Sequence, residues 1–195
     1  YDRMTESREA IAAELAEERG AVIVPAFDDE QVIAGQGTVG LELVRQAEAM
    51  GERLDLVACP VGGGGLIAGS SIAIKTLSPH TEIVGAEPEG YDDTRRSLAA
   101  GERIAVTPQR RTLCDALESP APGELTFPIV QANVSGIAAV SDAEVAEAMR
   151  TAFSTLKLVV EPGGCAALAA LLAGKLDARD RTVGVILSGG NVDPE

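Results

Sequence analysis

The sequence contains no tryptophan, one histidine and three cysteines, and each shortage removes a class of function. Cys59, Cys114 and Cys165 are widely spaced, with no CxxC pair. This spacing argues against a cysteine metal site and predicts free thiols in a reducing, cytoplasmic compartment. A Ser-His-Asp triad or a histidine-rich metal site would have to use His80. That residue stands in a short SPHTE connection, where a solvated surface position is the simplest interpretation.

Long apolar runs and excess positive charge are missing as well. The longest apolar segments contain Gly, Ser or Lys, so none is predicted to span a membrane, and the N-terminus lacks a secretory-signal pattern. The formal net charge is −14 and the pI is about 4.5. An acidic chain of this kind argues against nucleic acid or an anionic membrane as a partner.

Short β-branched runs alternate with longer helical stretches along the 195 residues. Strands are predicted at 21–25, 54–60, 82–87, 136–140 and 182–190. Helices are predicted at 6–20, 38–51, 66–77, 92–101, 141–157 and 162–174. Several predicted strands are wholly apolar, so we expect an α/β fold with a mainly parallel sheet covered by helices on both faces.

Two further local predictions come from single residues. Ser141 and Glu144 have the spacing of a capping box, which starts a helix predicted to run to about Lys157. The segment 102–135 contains four prolines and is predicted to be a long irregular excursion over the surface.

Four consecutive glycines separate a predicted strand from a predicted helix. They are Gly62, Gly63, Gly64 and Gly65. Glycines let successive backbone amides point at an anion, and the start of the helix adds its positive dipole end. The loop lacks the Gly-Lys-Ser/Thr of nucleotide triphosphatases and the GxGxxG spacing of dinucleotide-binding folds. A tight turn that packs the helix on the sheet is the alternative, but a run of four favours a phosphate site.

A second glycine turn follows the last predicted strand, in VILSGGN (185–191). In parallel sheets ligands bind beyond the carboxyl ends of the strands. Ser188 is therefore a candidate hydrogen-bond partner for a buried ring nitrogen. Ser-Gly-Gly is also an ordinary turn, and this motif alone does not decide between the two.

A third motif, GAEPEGYDD (85–93), places carboxylates around Gly90. They belong to Glu87, Glu89, Asp92 and Asp93. Carboxylates clustered at a turn can bind a hard divalent cation. In so acidic a chain, a solvated loop is the simpler interpretation of these residues alone.

Five segments, taken in order, resemble the serine/threonine dehydratase and serine racemase family, whose fold-type II enzymes use pyridoxal 5′-phosphate (PLP). The segments are FDDEQVIAGQGTVGLEL (27–43), ACPVGGGGLIAG (58–69), EPEGYDD (87–93), VVEPGGCAALAAL (159–171) and VILSGGNVD (185–193). The resemblance runs through essentially the whole chain. It implies that residues 1–195 are the C-terminal part of the PLP-dependent catalytic domain. It also implies a small amino-acid substrate and a homo-oligomer.

The resemblance assigns cofactor contacts to two of the motifs. The amides of Gly62 through Gly65 and of Leu66 would hold the cofactor phosphate, and Ser188 would face the pyridine nitrogen. A neutral serine leaves that nitrogen largely unprotonated, which tempers the electron sink and suits β-elimination.

In the racemase branch of the family, the third motif binds a metal. The residues that match Glu87, the main-chain carbonyl of Tyr91 and Asp93 bind Mg²⁺ or Ca²⁺ there. Lys157 and Asn191 match racemase positions that touch an activating nucleotide, although the other nucleotide contacts have no match here.

Two functional segments of the family have no match. The Schiff-base lysine lies in an SFKxRGA-type segment before FDD, and the chain's lysines, Lys75, Lys157 and Lys175, stand in other contexts. The serine-rich loop that holds the substrate carboxylate has no match either. We therefore expect the segment with the Schiff-base lysine to lie outside this chain and the chain alone to be inactive. A smaller departure is Ala116, where the family usually has glycine, and a cofactor-contacting turn there is expected to be reshaped.

The resemblance implies an enzyme that eliminates the β-hydroxyl group of threonine or serine and releases a 2-oxo acid and ammonia. Serine racemase and 3-hydroxyaspartate dehydratase are the close alternatives. A non-catalytic, phosphate-ligand-binding fragment of a split enzyme is the alternative from another class.

Overall fold

The computed structural model describes residues 6–193, and a parallel sheet of four strands lies at its centre. The strands are β1 (Leu56–Pro60), β2 (Glu82–Pro88), β3 (Gly136–Val140) and β4 (Val183–Val185). They lie in the order β3-β2-β1-β4, and every neighbouring pair is parallel. The predicted α/β class and the parallel sheet are confirmed.

Helices cover both faces of this sheet. Within residues 6–193 the α-helices are α1 (Arg8–Arg19), α2 (Glu30–Ala49), α3 (Gly65–Leu77), α4 (Asp93–Ala100), α5 (Thr126–Asn133), α6 (Asp142–Thr151) and α7 (Ala166–Leu172). Because side chains alternate along a strand, Val57 and Cys59 of β1 join the core under α2, α3 and α5, whereas Leu56 and Ala58 join the core under α6 and α7. Among residues 6–193, none of the helices combines the length and the apolar character that a membrane span requires.

Helices α2 and α3 cross at very short range through small residues. A Cβ atom on Gly69 would overlap the carbonyl oxygen of Ile33, and one on Gly40 would overlap the carbonyl oxygen of Ser70. The hydroxyl of Ser70 donates to the carbonyl of Gln36 across the crossing, at 3.3 Å. This contact fixes α3, the helix that follows the four glycines, against α2.

The predicted capping box is present at the start of α6. The Ser141 hydroxyl accepts from the Glu144 amide at 3.3 Å, and the Glu144 carboxylate accepts from the Ser141 amide at 2.7 Å. The predicted helix continues past Thr151 as one π-helical turn, 152–156, and ends at Lys157 with a φ of +61°.

Two strand predictions need correction. The segment 21–25 pairs with no strand among the described residues, and Val22 and Val24 are 90% and 77% exposed. Its β-branched composition favours an extended backbone, but a strand also needs a neighbour with which to hydrogen-bond. The last strand ends at Val185 instead of 190. The Ile186 amide still bonds β1, but from Gly189 onward the chain bonds Glu161 instead.

The irregular segment 102–135 contains an unpredicted helix, α5. Pro128 lies in the first turn of α5, where the missing amide would have had no intrahelical acceptor. Pro128 therefore marks the start of α5, and the prolines of this segment do not exclude a helix.

We expect Gly69→Ala to destabilise the fold by about 3 kcal/mol or more, because the added methyl group meets backbone that cannot move aside. The matched control is Gly35→Ala on α2, where a Cβ atom meets nothing within 4 Å. The control should gain roughly 0.5–1 kcal/mol from helix propensity. Urea unfolding measures both, and equal stabilities of the two variants would contradict the close crossing.

Candidate functional site

The carboxyl ends of β1 and β4 form the edge at which the first two motifs meet. Ala58 of β1 lies opposite Val185 of β4, and the Ile186 amide donates to the Ala58 carbonyl at 2.9 Å. The two strands are parallel neighbours, so the glycine loop after β1 and Ser188 after β4 leave the sheet at the same edge. The chain crosses from β3 at one side of the sheet to β4 at the other, which makes this edge a topological switch point.

The glycine loop presents buried amides at the start of α3. Gly63, Gly64 and Gly65 are buried, and Gly64 is the N-cap of α3 without a capping side chain. Within the described chain, the amides of 62–66 donate to no protein acceptor. Buried amides of this kind are costly unless a partner is bound, and a helix start attracts negative charge. The cradle therefore fits the phosphate group of a cofactor.

The protein packs closely against the other side of the same loop. A Cβ atom on Gly63 would overlap the ring of Phe27, and one on Gly65 would lie 2.9 Å from the Cβ of Phe27. Gly64 has a φ of +94°, and a Cβ atom there would lie 2.8 Å from the Thr126 hydroxyl. The run of glycines thus has two causes, the free amides and the close packing. The sequence predicts the first cause and offers packing only as an alternative, between the helix and the sheet. It does not indicate Phe27 or Thr126 as the packing partners.

A short 3₁₀ turn, Asp115–Leu117, closes the site from the irregular segment. A Cβ atom on Gly62 would lie 3.2 Å from the Cα of Leu117, and one on Gly163 would lie 3.2 Å from the Cγ of Leu117. Ala116 does not have a positive φ in this turn. The alanine that replaces the family's usual glycine is therefore accommodated without left-handed strain.

The turn that carries Ser188 is held by Glu161, a residue to which the sequence assigned no role. Ser188 is exposed, and the Gly189 carbonyl accepts from the Glu161 amide at 3.0 Å. The Glu161 carboxylate in turn accepts from the Asn191 amide at 3.0 Å. The second contact joins positions 30 apart in the chain, a separation that no local pattern reveals.

The three lysines of the chain are all engaged in other contacts. Lys75 donates to the Thr81 carbonyl at 2.7 Å, at the amino end of β2 and so at the opposite edge of the sheet. Lys175 forms an ion pair with Glu144 at 2.7 Å. Lys157 is exposed, and its amine donates to a main-chain carbonyl within its own turn. None of these contacts brings a lysine amine to the glycine loop.

The acidic motif contains a buried carboxylate at the end of β2. Glu87 is fully buried, and its two oxygens accept from the amides of Thr94 and Arg95 at 3.1 and 3.0 Å. Asp92 is paired with Arg95 and Arg96, which satisfies its charge. Glu87 therefore caps the start of α4.

Asp93 lies beside this capping contact and carries an unpaired buried oxygen, Oδ2. Burial raises the pKa of Glu87 to about 7, and burial with the nearby Glu87 charge raises the pKa of Asp93 to about 8. Within residues 6–193 no group of three or more His, Cys, Asp or Glu residues could hold a metal ion. Any cation here would depend on these two carboxylates and on carbonyl or water oxygens, which suit Mg²⁺ or Ca²⁺.

This chain has a parallel sheet covered by helices and a cradle of buried amides at the switch point of that sheet. Both features are typical of α/β enzymes that bind a cofactor. The chain belongs to the family described as pyridoxal-phosphate dependent enzyme, whose profile matches residues 1–189. This confirms the predicted family, and the fold is that of its fold-type II members.

The chain is similar to several characterised members of that family. It is 43% identical to an L-threo-3-hydroxyaspartate ammonia-lyase from Pseudomonas sp, over 100% of this chain and 60% of the relative. It is 42% identical to the serine racemase of Dictyostelium discoideum, over 96% of this chain and 57% of the relative. A solved T.th. threonine deaminase superposes with a TM-score of 0.90 at 46% identity, over 97% of this chain and 63% of that one. The chain thus spans about 60% of the length of these relatives.

We expect the free energy of unfolding to fall as the pH rises from about 5 to about 8.5 in a chelator. The folded chain holds protons on Glu87 and Asp93 at a pH where the unfolded chain has released them, since both pKa values are raised on folding. Stability is therefore highest below the unfolded pKa values and is lost as the pH passes about 7 to 8.

Denaturant unfolding across that pH range measures the effect, with Asp93→Asn as the test variant. Glu89→Gln is the matched control, because it removes the same charge from an exposed position of the same turn. The pH dependence should flatten in Asp93→Asn and persist in Glu89→Gln. If the free energy of unfolding changed with pH by the same amount in both variants, Asp93 would not be a source of the pH dependence.

Proposed function

We propose that this chain is the cofactor-holding part of a PLP-dependent ammonia-lyase that acts on threonine or serine. The reaction is β-elimination of the hydroxyl group, followed by release of a 2-oxo acid and ammonia. The observation that carries the proposal is the set of amides at 62–66, which donate to no acceptor in the described chain and stand where β1 and β4 end; three of them belong to the buried residues Gly63, Gly64 and Gly65. Because the chain belongs to the PLP-dependent family, we take the phosphate that these amides would bind to be that of PLP.

In this proposal the amides of Gly62 through Gly65 and of Leu66 bind the cofactor phosphate. The Ser188 hydroxyl hydrogen-bonds the pyridine nitrogen, and Glu161 keeps the Ser188 turn in position through the Gly189 and Asn191 contacts. When bound, PLP supplies the electron sink that stabilises negative charge at the substrate Cα. A neutral serine partner leaves the ring nitrogen without a full positive charge, which suits β-elimination because the ring then need not stabilise a carbanion as strongly.

Movement of the Cα proton requires a base that the described lysines do not provide. Lys75 and Lys175 are held by Thr81 and Glu144, and Lys157 is exposed in its own turn. We therefore assign the Schiff-base lysine and the substrate-carboxylate loop to another part of the whole enzyme. This chain by itself would then bind the cofactor without turning over an amino acid.

A second candidate function is serine racemisation or 3-hydroxyaspartate dehydration, and the acidic motif favours it. The unpaired Asp93 oxygen beside buried Glu87 fits a divalent cation held by these two carboxylates and the Tyr91 carbonyl. Relatives named serine racemase and L-threo-3-hydroxyaspartate ammonia-lyase support it. In the whole enzyme, ammonia release from threonine, serine and 3-hydroxyaspartate, compared with formation of D-serine from L-serine, separates these activities.

We expect the chain to bind PLP through its phosphate and Gly64→Ala to weaken that binding about tenfold or more. An alanine is strained at a φ of +94°, and its methyl group would crowd Thr126. The loop must therefore move, and its amides no longer point at the phosphate. Absorbance titration with PLP, in competition with inorganic phosphate, measures the affinity. The matched control is Gly51→Ala, which carries the same type of strain at a φ of +81° but meets nothing within 4 Å.

The control should lose stability and keep its affinity for PLP. A wild-type chain that binds pyridoxal as tightly as PLP would overturn the phosphate site. Borohydride treatment tests the assignment of the lysine, because PLP fixed onto Lys75, Lys157 or Lys175 would show that this chain supplies the base after all. Release of ammonia from threonine or serine by the chain alone would have the same meaning.

We also expect Ca²⁺ or Mg²⁺ at millimolar concentration to raise the melting temperature at a pH of about 8, where Asp93 releases its proton. The cation would pair with the Asp93 oxygen that otherwise lies buried without a partner, and binding to the folded state alone stabilises it. Asp93→Asn should abolish the shift, whereas Glu89→Gln, at an exposed position, should retain it. Equal shifts in both variants would mean that the cation binds elsewhere on this acidic chain.

A further inference from the structure

The carbonyl of Gly63, inside the glycine loop, is held from behind by two hydrogen bonds. The Thr126 hydroxyl donates to it at 2.7 Å, and the Gly123 amide donates to it at 3.2 Å. Gly63 and Thr126 are both buried, so water does not compete for this carbonyl. The peptide unit between Gly63 and Gly64 is therefore fixed by residues from the start of α5.

Fixing this carbonyl also fixes the direction of the next amide. No cis peptide bond occurs among the described residues, and in a trans peptide the C=O and N–H groups point to opposite sides. Because the Gly63 carbonyl points toward Thr126, the Gly64 N–H points away from α5. Thr126 also fills the space where a Cβ atom of Gly64 would stand, so the loop cannot relax toward it.

Thr126 is itself held in place by a residue far away in the sequence. The Asp28 carboxylate accepts from the amides of Glu124, Leu125 and Thr126 at 2.8, 2.9 and 3.3 Å. A Cβ atom on Gly123 would overlap this carboxylate, so the approach requires glycine there. One carboxylate thus sets the first turn of α5, for which the N-cap residue itself provides no capping side chain.

We propose that Thr126, held by Asp28, is the positioning residue of the phosphate loop and that it aims the Gly64 amide at the cofactor phosphate. The inference rests on the proposed phosphate site, and it adds the part of the chain that orients one donor of that site. Thr126 acts through the Gly63–Gly64 peptide and does not itself contact the phosphate.

The first test compares Thr126→Val with Thr126→Ser. Valine keeps the branched shape and removes the hydroxyl group, whereas serine keeps the hydroxyl group. The readout is the ratio of affinities for PLP and for pyridoxal, which lacks the phosphate, measured by absorbance titration. We expect the ratio to fall about tenfold in Thr126→Val, the size of one lost charge-assisted hydrogen bond, and to be restored in Thr126→Ser. The affinity for pyridoxal should not change.

A second test removes the support of Thr126 and has a neighbouring residue as its control. Asp28→Ala removes the carboxylate that caps α5, and Asp29→Ala removes the one that caps α2 by accepting from the amides of Gln31 and Val32. Both variants lose a helix cap and should lose similar stability. Only Asp28→Ala should lower the ratio of PLP to pyridoxal affinity.

A spectroscopic readout follows the amide directly. In the nitrogen-15 NMR spectrum, inorganic phosphate should shift the Gly64 amide of the wild-type protein strongly and that of Thr126→Val weakly. If the wild-type protein bound PLP and pyridoxal with nearly equal affinity, both the proposed phosphate site and this inference would be overturned. A strong wild-type preference that Thr126→Val and Asp28→Ala both retain would overturn this inference alone.

Discussion

The pairing of β1 with a parallel neighbour on each side is the constraint on which the rest of the structure depends. All five residues of β1 are buried, and its backbone is hydrogen-bonded to both β2 and β4. Because the three strands run in one direction, their carboxyl ends deliver the glycine loop, the Ser188 turn and Glu87 to one edge. Residues far apart in the sequence become neighbours there through backbone register alone.

The glycine run illustrates how a single motif can answer two physical demands. On one side the loop offers amides without protein acceptors among the described residues, and on the other Phe27 and Thr126 occupy the space that side chains would need. The anion-binding demand can be inferred from the sequence, because strand, glycines and helix form a continuous pattern. The packing demand cannot be inferred, since Phe27 and Thr126 come from distant segments. Thr126 also lies in α5, inside the segment 102–135, whose four prolines favour an irregular structure.

The same distinction decides how much of the protein could be predicted. The alternation of strands and helices, the parallel sheet and the capping box of Ser141 and Glu144 depend on local patterns, and they were predicted correctly. The segment 21–25 was wrong as a strand, because strand formation depends on a partner that composition does not specify. The role of Glu161 was missed for a similar reason, as its carboxylate meets an amide 30 positions away.

The proposed use of amides as phosphate donors also agrees with the charge of the chain. A protein with a net charge of −14 repels an anion at long range, and the contacts of its three lysines bring no ammonium group to the glycine loop. Buried amides at a helix start act at short range in a low local dielectric, whereas salt screens the repulsion from distant surface charges. They also carry no proton that titrates near neutral pH. Holding the phosphate and supplying a base are therefore physically separable tasks, and the proposed function assigns only the first of them to this chain.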